Sequence, residues 1–389
     1  MKKFWLSKSA IIVSLFCVVT AFASPAETPF KTLVTFNGAN GATPYYMSLI
    51  WGSDGNAYGT TSTGGAYDVG TVFKITPAGV LTTLYSFCVQ KNCPDGAFPE
   101  ASLVQAPNRD FYGTTEGGGK HFQGSIFKMT SSGELTTLHN FAGGATDGAF
   151  PAAGLAQYRG DYYGTTVNGG ANNAGTVFKI TPAGKFTVLY SFCVCADGTN
   201  PFAGLVQVAG NFYGTTVGGG TNFAGTVFEI TPEGALTTLH SFTDTDGYFP
   251  YAGLLFANDN FYGTTQQGGA QGIGTVFQMS LDGQLTTLYS FCSQADCADG
   301  YFPFAGLTQG ANGNLYGTTL LGGTYGDGTI FEITPGGTLT TLHSFDTIHG
   351  ANPEGGLLQG ANGDIYGATT GGGSRLDGTI FGLSTAMER

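Results

Sequence analysis

Apolar and polar positions along this chain fall into short runs, exemplified by AGLVQ, NFYGTT, GTVFKIT and LTTLYSF, each bounded by Gly, Pro or Asn. Runs of this length, rich in Val, Ile, Thr, Tyr and Phe, form strands, because β-branched and aromatic side chains fit a pleated surface while Gly, Pro and Asn supply the turns. No segment carries the 3.6-residue period of an amphipathic helix. The runs recur in a fixed order of four, termed a, b, c and d, which predicts an all-β chain of four-stranded units.

The repeat is long and regular. Tyr-Gly-[Thr/Ala]-Thr stands at Tyr58, Tyr112, Tyr163, Tyr213, Tyr262, Tyr316 and Tyr366, at intervals of 49 to 54 residues. Each copy leads into Gly-Gly, four variable residues, Gly and [Thr/Ser]-[Val/Ile]-Phe, ending at Phe73, Phe127, Phe178, Phe228, Phe277, Phe331 and Phe381. Four strands per repeat of this length are the signature of a β-propeller blade, so seven repeats predict a seven-bladed propeller. The turn from c to d occurs only six times. The missing one falls where the chain is cut, since a lone d strand (Thr32 to Phe36) opens the array and the last c strand (Gly378 to Ser384) ends it. The N-terminal strand is therefore expected to complete the last blade and close the ring, which removes open sheet edges. Residues 24–389 then form one domain, and loss of either end should be fatal to folding.

The pattern YGTTxxGGxxxxGTVFKITPxGxLTTLYSF followed by DGxxPxAGL resembles the GloVer tandem repeat of the "choice-of-anchor" exported bacterial proteins, over residues 31 to 384. The resemblance implies an export signal and a repeat array, often followed by a C-terminal anchoring segment, and implies no particular activity. This chain stops at Thr385 to Arg389 with no apolar tail or sorting motif, so surface anchoring is not expected.

Composition narrows the partners. The chain has 65 Gly in 389 residues, 10% charged residues and a formal net charge of −12, with 31 Phe, 19 Tyr and 2 Trp available for a core. Collagen is excluded because the glycines lack a G-X-Y period, and no Lys/Arg cluster offers the footprint of a nucleic-acid binder. Residues 1–23 read as a signal peptide: Lys2, Lys3 and Lys8 precede an apolar run from Ala10 to Ala23 that closes on Ala21-Phe22-Ala23, with cleavage before Ser24. Phe16 occupies the place where a small residue precedes a lipidated cysteine, so Cys17 is not expected to carry an anchor. Neither this apolar run nor any later stretch is long and apolar enough to span a bilayer, and the expected location is secreted or periplasmic. The six remaining cysteines form close pairs, Cys88/Cys93, Cys193/Cys195 and Cys292/Cys297, each after Ser-Phe and before Asp-Gly. An even count in equivalent loops of an exported chain predicts three local disulfides, the Cys-Val-Cys pair being the tightest.

In an up-and-down blade the b-to-c and d-to-a connections share one face, and every variable feature gathers there. The d-to-a connection carries [Asp/Asn/His]-Gly-x-x-Pro at Asn40, Asp95, Asp147, Asp197, Asp246, Asp299 and His349. Asp-Gly here is expected to serve as turn chemistry, since Asn40 and His349 dispense with the carboxylate; Asp244 and Asp246, half of a D-x-D-x-D-G pattern, are the only hint of calcium. No other cofactor is expected. The four variable residues of the b-to-c loops offer Tyr67, His121, Phe122, Asn173, Asn222, Phe223, Tyr325, Asp327 and Arg375 as candidate ligand contacts. Their GGxxxxG frame lacks the lysine and the following helix of a phosphate loop.

The residue after each d-to-a proline reads Tyr45, Glu100, Ala152, Phe202, Tyr251, Phe304 and Glu354. Around the channel mouth these aromatics either stack on a sugar or pack between blades, and the two carboxylates are candidate catalytic groups. His139, His240 and His343 alternate with Tyr85, Tyr190 and Tyr289 at one position of strand d, which reads as packing with a polar tip. No Ser/His/Asp elbow or HExxH helix is present. Three functions follow: a binding module for glycans, a polysaccharide hydrolase or lyase using Glu100 and Glu354, or a scaffold for a surface protein.

Overall fold

The computed structural model describes residues 30–385; the export signal predicted over residues 1–23 lies outside the described residues. Seven four-stranded antiparallel sheets account for the blades. Blade 1 takes Ile50–Trp51, Ala57–Thr61, Thr71–Ile75 and Leu81–Ser86 as strands a to d, and five blades repeat that order. The last takes Leu358–Gln359, Ile365–Thr369 and Thr379–Leu383 as a to c, and its d strand is Phe30–Thr35 from the other end of the chain. The seven-bladed ring is thus closed by the N-terminal strand, as its sequence predicted. This strand even reproduces the local irregularity of its equivalents: Val34 faces Ile380 and Thr32 faces Phe381, as Tyr85 faces Val72 and Thr83 faces Phe73, with one bulged residue between.

Strands b and c are buried on both sides between neighbouring blades, whereas d is half-buried along most of its length. The two most regular parts of the repeat are the halves of one contact. Gly59 lies opposite Phe73, and a Cβ on Gly59 would come within 2.7 Å of the Phe73 ring tip; Gly367 and Phe381 repeat this at 2.5 Å. Tyr-Gly and Val-Phe therefore recur together because the ring needs the missing side chain. A second glycine links consecutive blades. Gly70, at φ 106°, sits 2.5 Å by the same measure from Pro99 Cδ of the next turn, and Gly378 meets Pro44 across the closure at 2.8 Å.

Buried hydroxyls complete the joints. The Thr61 and Thr71 hydroxyls pair at 2.8 Å, and the Thr61 hydroxyl donates to the Thr63 carbonyl, so neither is buried without a partner. The preceding Thr60 donates across to the Ala101 carbonyl of the next blade, and Thr114, Thr165, Thr215, Thr264 and Thr318 do likewise. In the last copy the residue is Ala368, so the joint at which the two chain ends meet lacks this bond. The core is divided in the same way. Each apolar cluster spans two neighbouring blades, one uniting Val34 and Phe36 of the closing strand with Met47, Leu49 and Phe73 of blade 1. At the axis the segments leading into the short a strands carry Gly, Ala and Ser, such as Ser48, Ser102, Gly154 and Gly204, which lets seven segments converge.

Candidate functional site

One face of the ring carries both connections singled out by the sequence. Each d-to-a segment pairs with the residues just after strand b, as in the bridges Ala42 to Thr63, Ala97 to Gly117 and Ala351 to Gly371. This anchors the variable b-to-c loops against the turns.

The turn carboxylates are engaged by the scaffold. The Tyr85 hydroxyl donates to Asp95 at 2.9 Å, Tyr190 to Asp197 at 2.6 Å and Tyr289 to Asp299 at 2.8 Å, while His139 bonds Asp147 at 3.1 Å and His240 bonds Asp246 at 3.0 Å. Loop amides of Cys88, Ala142, Thr243 and Ser293 donate to the same side chains. The Tyr/His alternation on strand d and the Asp of the turn are therefore one interaction, five times repeated. Against a desolvation that pushes it upward, the bonds from His240 and Thr243 hold the Asp246 carboxyl below its usual value. Asp244 is exposed. Among the described residues the one His/Cys/Asp/Glu group close enough to share an ion is Cys193, Cys195 and Asp197, and its sulfurs are joined. The three disulfides, Cys88–Cys93, Cys193–Cys195 and Cys292–Cys297, each close within one turn.

The channel mouth holds a collapsed aromatic cluster. Tyr251 stacks on Phe304 at 4.5 Å and meets Phe202 edge-on at 5.3 Å; Tyr46 stacks on Phe304 at 4.8 Å and meets Phe202 edge-on at 4.9 Å. The rings cap a cavity of about 340 Å³ lined by small residues and leucines from the segments that lead into all seven a strands. Tyr46, not Tyr45, stands at the mouth position. Four residues separate Pro44 from Leu49 where three separate Pro99 from Leu103, so one residue is inserted in the first blade, and Tyr46 takes a φ of 52° to fit. Tyr45 packs behind it, with ring centroids 3.6 Å apart and the two hydroxyls hydrogen-bonded. Ala152 is buried.

Beside this cluster lie three carboxyl groups. Burial first, then the charge and hydrogen bond of Glu116 and the charge of Glu354, push the Glu100 carboxyl up to about 9. Burial alone lifts Glu354 to about 7, and its Oε2 has no hydrogen-bond partner. Glu116 follows Tyr-Gly-Thr-Thr in blade 2, where the other copies carry Ser, Val, Gln, Leu or Thr; that substitution was the signal for it.

At the loop tips Tyr67 is 50% exposed, Phe122 59%, Phe223 64% and Tyr325 65%, a high exposure for aromatic rings. His121 and Arg375 are also exposed. Other candidates have their side chains held by the scaffold. Asn173 accepts from the Gly169 amide, Asn222 donates to the Phe242 carbonyl, and Asp327 accepts from the amide and hydroxyl of Thr347. The third residue of the tetrad takes a left-handed φ in every blade, 54° at Asn173 and 59° at Phe122, which throws the tip outward. No helix among the described residues is long and apolar enough to cross a membrane.

Comparison with known proteins agrees with this architecture. A streptogramin B lyase superposes with a TM-score of 0.57 at 15% identity, covering 92% of this chain and 97% of that one. The virginiamycin B lyase from Staphylococcus aureus gives 0.60 at 14% identity, covering 92% and 100%. The extracellular domain of a hybrid two-component system from B. thetaiotaomicron gives 0.60 at 12% identity, covering 92% of this chain and 42% of that one. At such identities the likeness is one of fold. No functionally curated protein matches the sequence. The model of the Gloeobacter/Verrucomicrobia repeat matches residues 20–222 and again 193–381, and the chain belongs to that repeat family.

Proposed function

We propose that this protein is an exported binding module that takes neutral glycans on the face built by the b-to-c and d-to-a loops. The observation that carries the reading is the set of outward aromatic tips, Tyr67, Phe122, Phe223 and Tyr325, on loops whose frame is otherwise constant. Solvated aromatic rings contribute nothing to the fold that displays them, and they pack well against the C–H faces of sugars. Three of the turns beneath are tied by disulfides, which lowers the ordering cost of binding. With a net charge of −12, neutral rather than anionic chains suit the face. Calorimetric titration with neutral polysaccharides tests this. Replacing all four tips by Ala is expected to weaken binding at least ~10-fold, on the order of 1.4 kcal/mol or more, with an unchanged melting temperature. Equal affinity in wild type and variant would overturn the reading.

A second reading, hydrolysis or elimination at the mouth, is favoured by one observation. Glu354 borders the axial cavity with an unpartnered carboxyl oxygen and, at about 7, exchanges its proton near neutrality beside a protonated Glu100. Turnover of a lactone or polysaccharide panel should then fall by roughly 10²-fold or more in Glu354→Gln. A rate that this variant leaves intact removes the mouth as a catalytic site.

A further inference from the structure

Blade 6 breaks the pairing that five blades keep, and it does so differently from blade 7, where Val34 and Asn40 replace both partners. His343 occupies the strand d position and aligns with His240, but six residues on, where Asp246 answers His240, the chain has His349. Two consequences follow in the structure. The Nε2 of His343 is buried with no hydrogen-bond partner, and burial pulls this imidazole down to about 4, so it is neutral. His349 turns instead to Asp346, whose two carboxylate oxygens lie 2.8 and 2.9 Å from its Nδ1, leaving its Nε2 free of the turn. The equivalent His139 has its carboxylate although it stacks on Phe186 just as His343 stacks on Phe30, so ring packing does not explain the loss.

Beside these residues lies a pocket of about 710 Å³, bounded by strand d of blade 6, the turn that holds Gln294 and Ala298, and the start of the closing strand. Its size suits a small ligand. Both histidines and Asp346 line it, Phe30 forms one wall, and the exposed ring of Tyr325 stands at its lip. Thr324, Thr341, Ser344 and Gln294 add groups that both donate and accept. No Lys or Arg is among the described lining residues, and the one carboxylate is already met by His349, so neither an anion nor a cation is favoured. The unpartnered His343 Nε2 is closed off by its neighbours, so the accessible Asp346–His349 pair is what a ligand meets. Hydroxyl groups on a ring with apolar faces fit both the polar lining and the two aromatic walls.

We propose that this pocket is a subsite for a single neutral sugar ring, with a hydroxyl bonded to the Asp346–His349 pair, a second to the Thr and Ser hydroxyls of the lining, and a ring face against Tyr325, beside the stacked ring of His343. The proposal rests on the glycan reading above and gives it one defined place. The decisive variant restores the repeat: His349→Asp offers His343 the carboxylate that His240 has. Methyl glycosides of glucose, galactose, mannose and N-acetylglucosamine, titrated into the ¹⁵N-labelled full chain, should shift the His343 ring signals. In His349→Asp that response should fall at least ~10-fold, the melting temperature should not drop, and polysaccharide binding that depends on Tyr67, Phe122 and Phe223 should remain. Asp346→Ala, which breaks the pair with His349 and leaves the His343–Phe30 stack, should weaken the response too. Glycan binding with silent His343 signals, or an unchanged response in His349→Asp, would overturn the subsite and leave the wider reading standing. Absence of any saccharide binding to wild type would overturn both.

Discussion

A chain beginning at Asn37 shows no cooperative thermal transition. Removing residues 30–36 deletes strand d of the last blade and exposes the edge of Thr379–Leu383. It also opens the apolar cluster that joins blade 7 to blade 1, where Phe36 is fully buried against Phe73 at 5.5 Å. Ring closure makes every blade depend on two neighbours, and the closure joint is already the one without the Thr-to-carbonyl bond, because of Ala368. A milder change, Phe36→Ala, is expected to cost about 3–5 kcal/mol, the usual toll of emptying a buried Phe site. Circular dichroism against temperature reads both effects. A truncated chain melting sharply within a few degrees of wild type would contradict the closed ring.

Glu100→Gln is more stable than wild type at alkaline pH and equal to it in acid. The folded Glu100 carboxyl, at about 9, lies well above the value of about 4.5 expected unfolded. Below pH 4.5 both states are protonated and the side chain costs nothing. As pH rises from there the unfolded state releases its proton while the folded state keeps it, so wild-type stability declines until the folded value is passed. Glu354 adds the same slope up to about 7. Gln cannot titrate, and its amide can still donate to Glu116. The expected gain is on the order of 2–4 kcal/mol at pH 9 and near zero at pH 4, read from denaturant midpoints at the two pH values. A gain independent of pH would show that Glu100 is ionised in the fold.

The fold was legible because a sevenfold repeat multiplies each local signal. The missing c-to-d turn located the closure, and Ser-Phe before each cysteine pair set the disulfides in equivalent loops. The site was less legible because function resides in departures from the repeat, and these are single events. Tyr46 reaches the mouth through a one-residue insertion, visible only when the spacing from proline to leucine is counted against the other blades. The link between the strand d Tyr or His and the turn Asp is visible too: Val34 and Asn40 lose both partners together, while His343 with His349 loses one. Residues six to ten apart do not announce a contact until the turn geometry is known. Asn173, Asn222 and Asp327 look like ligand contacts in sequence, since polar loop residues do not reveal which partners they meet; in the structure Asn173 bonds its own loop, while Asn222 and Asp327 bond the chain just after strand d.

The measurement that bears most directly on the account is a crystal structure of the protein grown with the best-binding neutral oligosaccharide. Sugar density is expected on the loop face, packed against one or more of Tyr67, Phe122, Phe223 and Tyr325. Density confined to the opposite face, or a loop face that stays empty at saturating sugar, would contradict it.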